Sequence, residues 1–270
     1  MLDLRRANRS GMSRVIIRVG IVAGGDTGLN NIHRPLMYKK WSFIPIGLII
    51  SCFPETGETQ QNLFNVPTSD ITEKGKVFFQ EQMNVVSLRG TSYTTFTYGL
   101  GNNFEMGINV FNVATHPSHR HSQNPSFLIN SQKGFNISDT HKISIGTQTG
   151  LAPPLYNGTS VQISSFSYIN SAMDLKKWGK YYVGGYYADR AYAGRSNSVG
   201  LMAGMEYELL RNKVHLIGDL LTGHNNISTA VLGAMFYLPG KWHISMGAQI
   251  PIPHSHGRNN YGMVFQLTHE

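Results

Sequence analysis

Five of the eleven histidines fall into two short groups, His116, His119 and His121 in one and His254 and His256 in the other. Imidazoles spaced this closely carry the lone pairs that bind Zn²⁺ or Cu²⁺. The same stretches also hold Pro117, Arg120, Pro251, Pro253 and Arg258, the make-up of ordinary exposed loops. Metal binding and a plain surface loop are therefore both open readings. A second set consists of charged or titratable residues separated along the chain: Glu105, Lys142, Lys180, Glu206, Glu208, His215, Asp219 and His243. Charges of both signs on one interior surface either line a water-filled passage or pair off and block it. A third combination, Ser245 with His243, is the nominal nucleophile and base of a hydrolase. Same-face neighbours on a strand stand about 6.6 Å apart along the backbone, and no Gly-x-Ser-x-Gly elbow occurs,. An enzyme is not expected, nor is any cofactor.

The elements that would position these residues have a period of two. Phe104, Met106, Ile108 and Val110 alternate with Glu105, Gly107 and Asn109. Val199, Leu201, Ala203, Met205, Tyr207 and Leu209 do the same against Gly200, Gly204, Glu206 and Glu208. Trp242, Ile244, Met246, Ala248 and Ile250 oppose His243, Ser245, Gly247 and Gln249, and Tyr261, Met263, Phe265 and Leu267 close the chain in the same pattern. Such alternation marks strands with one apolar face. Turn signals at Gly101-Asn102-Asn103, Arg211-Asn212 and Pro239-Gly240-Lys241 separate them,.

The pattern predicts strands near 77–87, 91–100, 104–113, 126–133, 141–150, 160–171, 178–187, 198–209, 213–222, 227–238, 241–250 and 260–268. Even-numbered connections are predicted short. Most odd-numbered ones are longer, 88–90 and 223–226 being the exceptions. An outer-membrane barrel has short periplasmic turns and longer outside loops. A soluble β-sandwich would carry a charged, solvated face, whereas the less apolar faces here are rich in Gly, Ser, Thr, Gln and Asn. The predicted fold class is thus all-β: a closed, antiparallel, up-and-down transmembrane β-barrel of about 12 strands over residues 77–270.

Composition agrees with that class. Charged residues make up 14% of the chain, well below the roughly one quarter of a typical soluble domain. Residues 1–41 hold eight of the 23 Lys/Arg and two of the 15 Asp/Glu, so the remainder is nearly balanced at +2. Most of the net charge of +8 therefore belongs to the leader, and no nucleic-acid partner is expected,. Met37-Tyr38-Lys39-Lys40 followed by the apolar stretch Trp41–Phe53 reads as a signal peptide over 37–60,. Residues 1–36 read as an extension outside the mature chain, and 61–76 as a periplasmic lead-in to the barrel. Ile49-Ile50-Ser51-Cys52 matches a lipobox, which would make Cys52 a lipid-anchored N-terminus. Alternatively Cys52 lies within a signal cut near Gly57–Gln61. A lone cysteine excludes an internal disulfide,.

Several stretches also resemble a family of poorly characterised, porin-like outer-membrane barrels of bacteria. They are Asn62-Leu-Phe-Asn-Val-Pro67, Ile71–Phe79, Tyr98–Gly101 with Phe104–Val110, and Asn260–Phe265. The likeness covers roughly 62–267 and consists of hairpin patterns, so it implies fold and location without catalytic residues. One departure is the end of the chain, Leu267-Thr-His-Glu270, where many such barrels end in an aromatic residue.

The expected location is the outer membrane of a Gram-negative cell, with membrane lipid and the barrel-assembly machinery as partners. The expected function is a narrow porin-like channel for passive passage of small polar solutes. A non-conducting surface barrel for binding or adhesion is the alternative, and a lipid-acting hydrolase a more distant one.

Overall fold

A strand leaves its backbone N–H and C=O groups unpaired along any free edge, and twelve strands here remove every edge by closing into a ring,. The computed structural model describes residues 62–87, 89–115, 125–152, 160–194, 197–252 and 261–270. The strands are β1 (Val77–Val86), β2 (Arg89–Gly101), β3 (Phe104–Ala114), β4 (Ser126–Ser138), β5 (His141–Ala152), β6 (Gln162–Asp174), β7 (Lys180–Ala188), β8 (Val199–Leu210), β9 (Val214–Leu221), β10 (Thr229–Leu238), β11 (Trp242–Pro251) and β12 (Gly262–His269). Each pairs antiparallel with its neighbours in sequence. β1 and β12 complete the barrel in a register running from Phe79↔His269 to Val86↔Gly262.

All twelve predicted strands are present, and the alternation of connections holds. One end of the barrel carries tight turns. Asn102 and Asn103 both take positive φ (52° and 53°), the two-residue geometry whose twist matches that of paired strands. The other end carries the connections between β3 and β4, β5 and β6, and β7 and β8, the last including a one-turn helix α1 (Arg190–Ala193). We call these the turn end and the loop end.

β4 is the largest correction. It was expected to stop near residue 133, with 134–140 as a connection, yet it runs to Ser138 and leaves only Asp139 and Thr140 as the turn. Gly134 and the polar run Ser131-Gln132-Lys133 weaken its alternation in sequence. The ladder to β5 nevertheless continues through Lys133↔Ile145 and Phe135↔Ile143.

The apolar stripes point outward and are exposed. Ile163, Leu201 and Val183 are 69%, 67% and 64% accessible. Tyr98, Phe135, Trp178, Tyr181 and Tyr207 are exposed around the turn end, and Glu81 is an outward carboxylate accepting hydrogen bonds from Ser92 Oγ and Thr94 Oγ1. No helix among the described residues is long and apolar enough to cross a membrane. The core lies inside the ring. Its two clusters are built around Leu63 and Phe64, and around Val66, residues that precede the first strand.

Candidate functional site

Residues 62–73 lie within the bore. Their polar and apolar groups are taken up by the barrel wall. Gln266 on β12 donates its amide to the Leu63 carbonyl at 2.7 Å. Asn170 on β6 donates to the Pro67 carbonyl at 2.5 Å. In a twelve-stranded ring β12 and β6 stand half a circumference apart, so four residues of chain cross the lumen.

The remaining contacts complete the stopper. The Asp219 carboxylate of β9 accepts from the backbone N–H of Asn65 and, at 3.0 Å, from that of Val66. Gln132 of β4 donates to the Thr68 carbonyl at 2.8 Å, and Ser144 Oγ of β5 meets Ser69 Oγ at 3.2 Å. Asp70 receives Lys142 Nζ at 2.8 Å and stands 3.9 Å from Lys180 Nζ. The Thr72 N–H donates to Glu105 Oε2 at 2.6 Å. Gly75 and Lys76 then leave through hydrogen bonds with Gly99 at the turn end.

Apolar packing seats the same segment. Leu63 and Phe64 are buried against Ile217, Val231, Met235 and Val264, and Val66 against Phe166, Tyr186 and Met202. Glycines on the wall make room for them. A Cβ at Gly204 would collide with Leu63 Cδ1, and one at Gly247 would approach the Phe64 ring to 2.7 Å.

The predicted interior charges are thus assigned roles that spacing alone could not show. Glu105, Lys142, Lys180 and Asp219 hold the segment. Glu206 and His215 pair with each other, Oε1 to Nδ1 at 2.6 Å. Tyr237 packs at a tilt against the rings of both His215 and His243, with centroids 4.7 and 4.3 Å apart. His243 Nδ1 is 3.8 Å from Glu270 Oε1. This group closes the β8–β11 side of the turn end beneath Leu63 and Phe64. Glu208 is the exception: it is exposed at the rim, accepting from the Asn212 N–H.

Ser245 is fully buried and its Oγ has no hydrogen-bond partner among the described residues, so it and His243 are not brought together. His116, His119, His121, His254 and His256 lie outside the described residues, as do the signal peptide and Cys52. Among the described residues no group of three or more His, Cys, Asp or Glu side chains could hold a metal ion.

Above the stopper the bore opens into a cup of about 180 Å³ facing the loop end. Its floor is Asn62, Asn65 and Pro67, and its wall comes from the loop-end halves of the strands. A register shift in β3, where Asn112 takes φ +62°, lies beside the edge-to-face pair Tyr93 and Phe111, 5.4 Å apart. On α1, Asp189 caps the first turn by accepting from the Tyr192 N–H at 2.9 Å,. The Tyr192 ring turns back into the barrel, stacking on Phe166 at 5.1 Å and donating to Gln148 Oε1 at 3.3 Å.

No protein-family model matches this chain, and no curated protein is significantly similar to it.

Proposed function

We propose that the protein is an outer-membrane β-barrel of a Gram-negative cell whose lumen is closed at rest by its own residues 62–73. The membrane reading is supported by the outward stripes, which expose large aliphatic side chains all round the ring, and by the aromatic residues gathered at the turn end,. Water would not tolerate an apolar surface of that extent on a monomer. Lipid satisfies it, and the closed ring leaves no unpaired strand edge. The turn end, which carries the first residues of β1 and the last of β12, then faces the periplasm, and the loop end with the longer connections faces outward,.

The observation that carries the closed state is the crossing from Gln266 on β12 to Asn170 on β6. It favours a surface barrel that is non-conducting at rest over an always-open pore. Porin-like passage of small polar solutes is assigned to states in which residues 62–73 have left the bore. Ser245 Oγ makes no hydrogen bond to His243, so that pair lends no support to a lipid-acting hydrolase.

Fractionation of a Gram-negative host expressing the protein, with gel mobility before and after heating, tests location and fold. The expected result is a heat-modifiable band in the outer-membrane fraction. Recovery in the soluble periplasm would overturn the membrane reading.

A further inference from the structure

We infer that the loop-end cup is a binding site for a neutral sugar ring. The inference rests on the closed-lumen reading, because Asn62, Asn65 and Pro67 of the seated segment form the floor.

The first argument is charge. Among the described residues, none lining the cup is Asp, Glu, Lys, Arg or His, although the same lumen carries Asp70, Glu105, Lys142 and Asp219 around and below the floor. A site of this kind offers no counter-charge to an ionic ligand, whose desolvation would then go uncompensated.

The second argument is the density of amides. Gln80, Gln82, Asn84, Gln148, Asn226 and Gln249 all border the cavity. Each side-chain amide donates and accepts at adjacent atoms, which matches neighbouring hydroxyls that also do both. Gln80 is already bonded to Asn62 and Thr268, and Gln82 to Asn84 and Gln266, so a sugar hydroxyl would extend an existing network through the N–H groups and lone pairs left over, which an acyl chain could not do. Gln148 is already polarised for the purpose: its Oε1 accepts from Tyr192, which leaves its N–H₂ to the cavity.

The third argument is the placement of aromatic surface. Tyr93 with Phe111 borders the cup on β2 and β3, and Phe166 with Tyr192 borders it on β6 and α1. Flat apolar faces beside a ring of amides fit a ligand with C–H faces and a polar equator, as a pyranose has. The volume suits one such ring rather than a long chain.

The test uses the full exported chain purified in detergent. Saturation-transfer NMR and calorimetric titration would be run with glucose, galactose and maltose, and with glucuronate and glucosamine as charged counterparts. At least one neutral sugar is expected to bind, with the charged analogues at least about tenfold weaker, as one lost or unpaired polar contact would give. Tyr192→Ala and Gln148→Leu should each weaken binding by roughly five- to tenfold, with heat-modifiable gel mobility showing that the barrel is folded. Absence of binding by every neutral sugar, equal binding of the charged analogues, or wild-type affinity in both variants overturns the proposal. Hydrogen exchange on the same sample separates the two claims. A protected 62–73 segment without sugar binding removes the sugar site alone, whereas an unprotected segment removes the closed lumen beneath it.

Discussion

Asp219 gives the sharpest handle on the stopper. Its carboxylate is buried on β9 and accepts the backbone N–H groups of Asn65 and Val66, with the Asn65 side-chain amide at 3.4 Å. Asp219→Asn keeps the shape but leaves one acceptor oxygen where there were two, and turns an N–H₂ toward N–H donors. A hydrogen bond to a charged group contributes about 1.5–3 kcal/mol, and a neutral one about 1 kcal/mol. Losing one charged bond and weakening the other reduces seating by about 2–4 kcal/mol. At about 1.4 kcal/mol per tenfold, that is a shift of roughly 30- to 1,000-fold toward the unseated state. Hydrogen exchange reads this directly, because the Asn65 and Val66 amides are themselves the probes. Exchange of a peptide covering 62–73 should accelerate by that factor while peptides from β1–β12 stay unchanged. Unchanged protection of 62–73 in the variant would show that Asp219 does not hold the segment, and the energetic reasoning would fail with it.

Three further outcomes follow from the same geometry. Cysteines replacing Ser69 and Ser144, whose hydroxyl oxygens are 3.2 Å apart, should form a disulfide in a Cys52→Ser background. The bond should restore slow exchange of 62–73 when combined with Asp219→Asn, and free thiols under oxidising conditions would contradict the placement. Gly247→Ala puts a methyl group against the Phe64 ring and Val231. Overpacking of this kind costs about 1–3 kcal/mol, so faster exchange of 62–73 is expected with the barrel still heat-modifiable. Ile169→Arg places a charge at an outward position 53% exposed near the middle of β6. In a bilayer this destabilises the folded barrel by about 2–4 kcal/mol, measurable by urea titration in lipid vesicles, whereas a water-facing position would show almost no change.

The barrel was legible because its period is two: each outward residue carries its own signal, and slipping by one residue would turn outward residues such as Ile163, Val183 and Leu201 inward,. Asn102, Asn103 and Gly240 announced their turns as residues that tolerate positive φ,. The stopper was not legible. Residues 62–73 have no period, and their partners on the barrel wall lie 18 to 203 positions away, from Gln80 to Gln266. The indirect clue was volume. Inward positions such as Gly204, Gly247, Ser144 and Ser245 are small, and a twelve-stranded bore lined by small residues must contain something else. The interior charges were found by alternation, but their partners were not, since Asp70 and the Asn65 and Val66 amides belong to a segment with no predicted structure. The cup was hidden for the same reason. Tyr93, Gln148 and Tyr192 are brought together only by closure of the ring and by the Asp189 cap.

Single-molecule recording in planar bilayers tests the closed lumen most directly, comparing the exported chain with one lacking residues 62–73. The account predicts a silent bilayer for the intact protein and discrete conductance steps once the segment is removed. Steady open-channel current from the intact protein, unaltered by the deletion, would contradict it.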